Sequence, residues 1–153
     1  MIYKIPTPCS EAYVRVCFFY CCSEVIMGGV EIKPLNQIGN DERGKTSTFS
    51  IRETKNFVLI QRVKGSLSGN TYHKGISPNT NPKIFILLNG SIMFRYRHVN
   101  DTKHDEIHLS EPSLIYVHPY VAHSVEALED IMMLECNSIE DIKDDRYREE
   151  VIK

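Results

Sequence analysis

The sequence predicts an all-β fold, an antiparallel sandwich or barrel, and three observations predict it. Short β-prone runs separated by turn residues succeed one another from Val30 to Cys136, among them "VEIKPL", "NFVLIQRV", "DEIHL", "SLIYVH" and "DIMMLEC". Asn89-Gly90 stands between two apolar runs in "ILLNGSIMF", a pairing that favours a tight turn between strands. Helical patterning is confined to the tail "NSIEDIKDDRYREEVIK". Many short strands at this spacing are the mark of double-sheet or barrel architectures.

The chain has 153 residues, the length of one ordinary domain with a sizeable core. Hydrophobic residues make up 42% and charged residues 25%, which excludes a disordered or fibrous chain. Net charge is -2, from 18 basic and 20 acidic residues mixed along the sequence. That provides no field for a polyphosphate backbone, so nucleic acid is not an expected partner. A small anionic ligand needs only one or two well-placed arginines.

Residues 1–29 form an N-terminal arm. Pro6 and Pro8 break its start, an aromatic and Cys-rich run follows, and Gly28-Gly29 closes it. One strand is expected there, packed on the sheet or on a partner subunit. The run Ala12 to Cys22 is 11 residues long and contains Arg15, too short for about 30 Å of hydrocarbon, and it lacks the flanks of a signal peptide. No membrane association is expected. Cys9, Cys17, Cys21, Cys22 and Cys136 are odd in number and make no CxxC pair, which reads as reduced thiols in a cytoplasmic protein.

Residues 30–153 form the barrel. Asn89-Gly90 is expected to make a type I′ hairpin, with positive φ at both central residues. On the strand after it, Phe94, Tyr96 and His98 share one face and Arg95 and Arg97 the other, because side chains alternate with period two. The first face belongs to the core; the second meets water or an anion. The tail has acidic residues early and basic residues late, as a short C-terminal helix or a frayed end would.

Thr71 and His73 point the same way along a strand, and Lys83, opening the next apolar run, is placed to face them across a barrel mouth. The frame is Gly65, five residues, Thr71-x-His73, nine residues, Lys83, six residues, Gly90. It resembles the first motif of the cupin superfamily, RmlC-like jelly rolls, in which glycine, His-x-His, a spacer, Glu and glycine recur. Thr71 stands for the first histidine and Lys83 for the glutamate. The second cupin motif resembles "LIYVHPYVAH", with Pro119 and His123 retained and Tyr120 at its glycine.

Together with "DERG" at 41–44, "FRYRHV" at 94–99 and "LECNS" at 134–138, these stretches are similar to the C-terminal cupin domain of bifunctional capsular-polysaccharide epimerase/reductases. More distantly, "DERG", "QRVK" at 61–64 and His73-Lys74 resemble sugar-nucleotide 3,4-ketoisomerases. The resemblance implies a cupin double-stranded β-helix, paired as a homodimer.

It also implies an isomerase or epimerase of the 3-epimerase or 3,4-ketoisomerase type, acting on a 4-keto-6-deoxy sugar nucleotide in surface polysaccharide biosynthesis. The partner is then a nucleotide-linked sugar. His73 is the expected base, His123 a second acid/base or sugar-holding group, and Lys83 the cation beside the enolate oxygen. Arg62, Arg95 and Arg97 are candidates for the diphosphate, and Thr71, Tyr72 and Tyr116 complete the substrate-binding set. Tyr96 and Tyr120 are further hydroxyls among which the sequence does not choose. In 3,5-epimerases the base aligns at Thr71, which disfavours that reaction.

A divalent metal such as zinc is disfavoured, because two imidazoles remain of four usual ligands and Lys83 would stand beside the ion. No cofactor is therefore expected. The alternative is a non-catalytic sugar-binding or regulatory cupin. A metal-dependent dioxygenase is weaker still, since it needs more ligands than the sequence shows.

Overall fold

The computed structural model describes residues 25–152. The strand expected within 12–22 and the four cysteines before Ser23 lie outside the described residues. The strands are β1 (Val25–Met27), β2 (Val30–Pro34), β3 (Asn36–Asp41), β4 (Gly44–Thr48), β5 (Val58–Arg62), β6 (Leu67–Tyr72), β7 (Lys83–Asn89), β8 (Ile92–His98), β9 (Asp105–Leu109), β10 (Ser113–Val117), β11 (Val121–Ala127), β12 (Ile131–Glu135) and β13 (Tyr147–Arg148). One helix, α1 (Ile139–Asp144), precedes β13.

Among the described residues β3 and β4 pair as a separate two-stranded sheet, and the other strands make two larger antiparallel sheets with the core between them. The larger runs β1-β2-β10-β7-β12-β5, and the smaller runs β13-β6-β11-β8-β9. Ile32, Leu87, Phe94, Ile115, Val121 and Met133 point inward and form the main core, each burial worth about 1.5–3 kcal/mol. This is a jelly-roll barrel. β7 is buried over its first five residues because both its faces are covered. Its outward Ile84 and Ile86 join Leu114 and Cys136 in a second cluster, against which Leu35 and Ile51 pack.

The turn at Asn89-Gly90 differs from expectation. β7 pairs with β10 and β12, whereas β8 pairs with β11 and β9, so the chain turns from one sheet to the other and makes no hairpin. Gly90 has φ 85° and Asn89 has no positive φ, which also excludes type I′. The glycine is needed for close approach: a Cβ there would stand 2.5 Å from the Asp130 carbonyl oxygen.

The face of β8 that carries Arg97 is also not wet. Residues 147–151 fold back over it, and Arg97, 2% exposed, donates to the carbonyls of Val99, Asp101, Glu150 and Val151 and pairs with Glu149. At the other end of the chain, β1 pairs with β2, so the large sheet begins inside the segment assigned to the arm. The tail forms α1, held by a capping box between Ser138 and Asp141.

Candidate active site

Register decides which side chains meet. Val117 pairs with Lys83, Glu135 with Phe85, Thr71 with His123, and His123 with Tyr96. These pairs lie at one end of the barrel, and that end carries its buried polar groups.

His73 arrives there through a bulge. Between His123 and Ser124 the β6–β11 register slips, leaving Asn70 at φ 53° as the extra residue and Gly69 at φ 93° beside it. A Cβ on Gly69 would lie 2.7 Å from the His123 carbonyl oxygen, so glycine is the residue that lets the strands approach. Beyond the bulge Thr71 and His73 both face inward, 7% and 0% exposed. The His118–Tyr120 turn locks them: Tyr120 N–H donates to the His73 carbonyl at 2.8 Å, and Tyr120 adopts φ 64° where the cupin motif has glycine.

The imidazoles of His73 and His123 lie edge to face, ring centres 5.9 Å apart. His73 Nε2 is 3.1 Å from the Val117 carbonyl oxygen, which accepts only if Nε2 carries the proton. Nδ1 is then a bare lone pair, and it is buried with no partner. His123 mirrors this, with Nδ1 donating to the Val121 carbonyl at 3.1 Å. Burial, followed by the charge of Lys83, pushes His73 down to about 4. Burial, Lys83 and His73 push His123 down to about 3. Both rings are neutral at pH 7.

Lys83 is inside the barrel, 6% exposed, and its partner was not foreseen. Its Nζ is 2.6 Å from Glu135 Oε1. Asn137 Nδ2 donates to the same oxygen at 3.2 Å, and Asn137 Oδ1 is buried without a partner. The Lys83 ammonium also lies 5.4 Å from the Phe85 ring centre, and that ring is 5.6 Å from His123. Tyr96 adds a hydroxyl, buried and unpartnered; burial and then Asp105 raise it to about 12, so it stays a donor.

Glu135 could have been found from alternation. Ile131, Met133 and Glu135 share a face, and a carboxylate on an apolar face calls for a cation.

The rest of the expected set does not join this group. Arg62 pairs with Ile131, while Glu135 pairs with Val58, which puts Arg62 roughly 13 Å further along the strand, toward the opposite end. Arg95 is on the outer face of the small sheet, bound to Glu126 at 2.8 Å and Glu106 at 3.1 Å. Arg97 is consumed by the tail. Tyr72 stacks on Tyr147 at 5.2 Å. Tyr116 packs against the outer cluster of the large sheet, beneath Lys33. His118, at the rim, pairs with Glu31 at 2.6 Å.

No family model matches the sequence, and no curated protein matches it. Solved structures do match. The chain is similar to a dTDP-4-dehydrorhamnose 3,5-epimerase from Sulfolobus tokodaii, with 20% identity, a TM-score of 0.61 and 76% of each chain covered. It is similar to the 3,4-ketoisomerase QdtA from Thermoanaerobacterium thermosaccharolyticum, solved with TDP, with 20% identity and a TM-score of 0.63 over 80% of this chain and 90% of that one. It is also similar to the capsular polysaccharide assembling protein CapF from Staphylococcus aureus, with 22% identity and a TM-score of 0.54; the match covers 78% of this chain and 35% of CapF. At these identities the likeness establishes the fold: an RmlC-like jelly roll.

Cupin barrels commonly hold a metal, and the residues at this end do not fit one. Among the described residues no group of three or more His, Cys, Asp or Glu side chains is placed to share an ion. The charge of the Lys83 ammonium already bears on both imidazoles, and the Glu135 carboxylate is bound to it.

Proposed function

We propose that the protein is a sugar-nucleotide isomerase acting on a 4-keto-6-deoxy sugar nucleotide, of the 3-epimerase or 3,4-ketoisomerase type, in surface polysaccharide biosynthesis. The observation that carries this is His73 Nδ1: an unprotonated, unpartnered nitrogen held inside the barrel by the Val117 carbonyl. Removing a proton from carbon beside a ketone needs such a base, and a positioned one contributes about 10²- to 10⁴-fold.

The steps use only this chain's side chains. Nδ1 takes the proton at C3, and the electron pair moves to the C4 ketone oxygen as an enolate. Lys83 stabilises that oxygen. Imidazolium then returns the proton, with His123 at hand as its neighbour. The substrate's diphosphate charge raises the low imidazole pKa values, improving the base once substrate is bound.

A metal-free mechanism is part of the proposal, supported by the Lys83 ammonium buried at this end of the barrel and bound to Glu135. So are a cytoplasmic location and a homodimer. Exposed Phe57, Leu59 and Val63 on and around β5, an edge strand of the large sheet, support pairing of two copies.

The test is solvent deuterium exchange into 4-keto sugar nucleotides. Wild-type protein should label C3, and His73→Ala should lower the rate at least ~100-fold. Equal rates for the two proteins would end the proposal. One observation favours a second reading, a sugar-binding cupin without turnover: His73 has no exposed surface. That reading requires a ligand-induced rise in Tm with no exchange.

A further inference from the structure

Buried beside the imidazoles, the Lys83–Glu135 pair has no counterpart in a simple proton-abstraction site. A base and one cation suffice to form an enolate. Here the cation is bound to a carboxylate at 2.6 Å, both side chains under a tenth exposed. The carboxylate lowers the value of Lys83 as a fixed positive charge, and a desolvated ion pair is often no more stable than apolar residues of the same size. Stabilising the enolate oxygen uses Lys83 but gives no role to the carboxylate bound to it, and stability does not account for the pair either. What two such groups at hydrogen-bond distance can do is exchange a proton.

We propose that Glu135 and Lys83 together carry protons between the two oxygens of the substrate, which makes the reaction a 3,4-ketoisomerisation. This rests on the isomerase reading above and chooses within it.

His73 Nδ1 removes the C3 proton, the C3–C4 double bond forms, and Lys83 gives a proton to the C4 oxygen, producing an enediol. Glu135 accepts the proton of the C3 hydroxyl, the C3 carbonyl forms, and the electron pair of the double bond takes a proton at C4 from imidazolium. Glu135, now neutral, returns its proton to the neutral Lys83 amine across their contact, and the pair is reset. Carbonyl and hydroxyl have changed places, no electron is gained or lost overall, and every proton is accounted for.

Epimerisation asks for less. The proton returns to the opposite face of C3, the C3 hydroxyl keeps its hydrogen, and no carboxylate is needed beside the ammonium. The unpartnered Asn137 Oδ1, next to Glu135, is a second observation pointing the same way: it is an acceptor in place for a substrate hydroxyl.

The test uses the full chain and TDP-4-keto-6-deoxyglucose in deuterated buffer, with C3 labelling and product identity followed by NMR. Wild type should form the 3-keto isomer, with solvent deuterium entering C4 of that product and C3 of the substrate that returns from the enediol. Glu135→Gln should lower isomer formation at least 100-fold while lowering C3 labelling less than tenfold, because the carbon-side base is untouched. Glu135→Asp should recover part of the isomer formation.

A C3 epimer as the wild-type product, without 3-keto sugar, overturns the inference and leaves the isomerase reading intact; this measurement needs no variant. Equal losses of labelling and isomer in a Glu135→Gln protein that melts like wild type assign Glu135 a structural role and also overturn it. Absence of deuterium from both C3 and C4 with wild type, together with absence of any isomer, overturns both.

Discussion

His73 and His123 are neutral because the fold keeps water from them, and that has a cost in acid. Unfolded imidazoles titrate near ~6.5, whereas burial and the Lys83 charge hold these two at about 4 and about 3. Above pH ~6.5 neither state binds the proton, and the histidines leave stability unchanged. As pH falls below that, the unfolded chain takes up protons that the fold refuses, so each histidine removes about 1.4 kcal/mol per pH unit. The loss continues to about pH 4 for His73 and about pH 3 for His123. Urea unfolding between pH 7 and pH 5 should show this slope, and His123→Gln should reduce it by about one proton's worth.

Tyr96 gives the opposite kind of residue-scale prediction. Its hydroxyl is buried and bonded to nothing, so Tyr96→Phe removes an unmet group and should leave stability within about 1 kcal/mol of wild type, or raise it. If the hydroxyl meets substrate, kcat/KM should fall about tenfold or more. An unchanged kcat/KM would remove Tyr96 from the site. The sequence placed Tyr96 correctly on the core face, but alternation alone could not say that its oxygen lacked a partner. It gave Lys83 the right side of its strand and missed Glu135, whose role exists only when β12 lies beside β7.

Among elements, the β6 bulge does the most for the site. Without the extra residue, Thr71 and His73 would shift by one position and face outward, since a one-residue slip exchanges the faces of a strand. Gly69→Ala should be severe: the new Cβ would meet the His123 carbonyl oxygen at 2.7 Å at φ 93°. A loss of about 2 kcal/mol or more is expected in chemical denaturation. A change below ~0.5 kcal/mol would show that the bulge is not required. The strands themselves were legible, because β-branched runs and turn residues mark them; "DEIHL" matches β9 residue for residue. Sheet membership was not. Asn89-Gly90 looks the same in sequence whether the strands it joins pair with each other or part into two sheets, and long-range pairing with β10–β12 made the difference. Arg97 failed for a related reason: alternation put it on the outer face correctly, but the tail that covers that face follows 50 residues later.

At the scale of the molecule, the jelly roll gathers the ends of β6, β7, β8, β11 and β12 at one mouth, and the buried polar groups of the proposed site sit where those ends meet. Sequence resemblance found the mouth through two motif frames, and the structure shows why Thr71 and Lys83 are compatible with it. Thr71 fills space opposite His123, and Lys83 has a carboxylate of its own. Arg62, Arg95 and Arg97, the arginines expected to hold a diphosphate, all lie away from this mouth. The central claim is that this mouth moves a proton on carbon with His73 as base. Its most direct test is the rate at which deuterium from solvent enters C3 of TDP-4-keto-6-deoxyglucose or C4 of its 3-keto isomer, measured for wild type and for His73→Ala at equal concentration. Rapid labelling by wild type with at least ~100-fold loss in the variant is the predicted result; labelling at the same rate by both, or by neither, would contradict it.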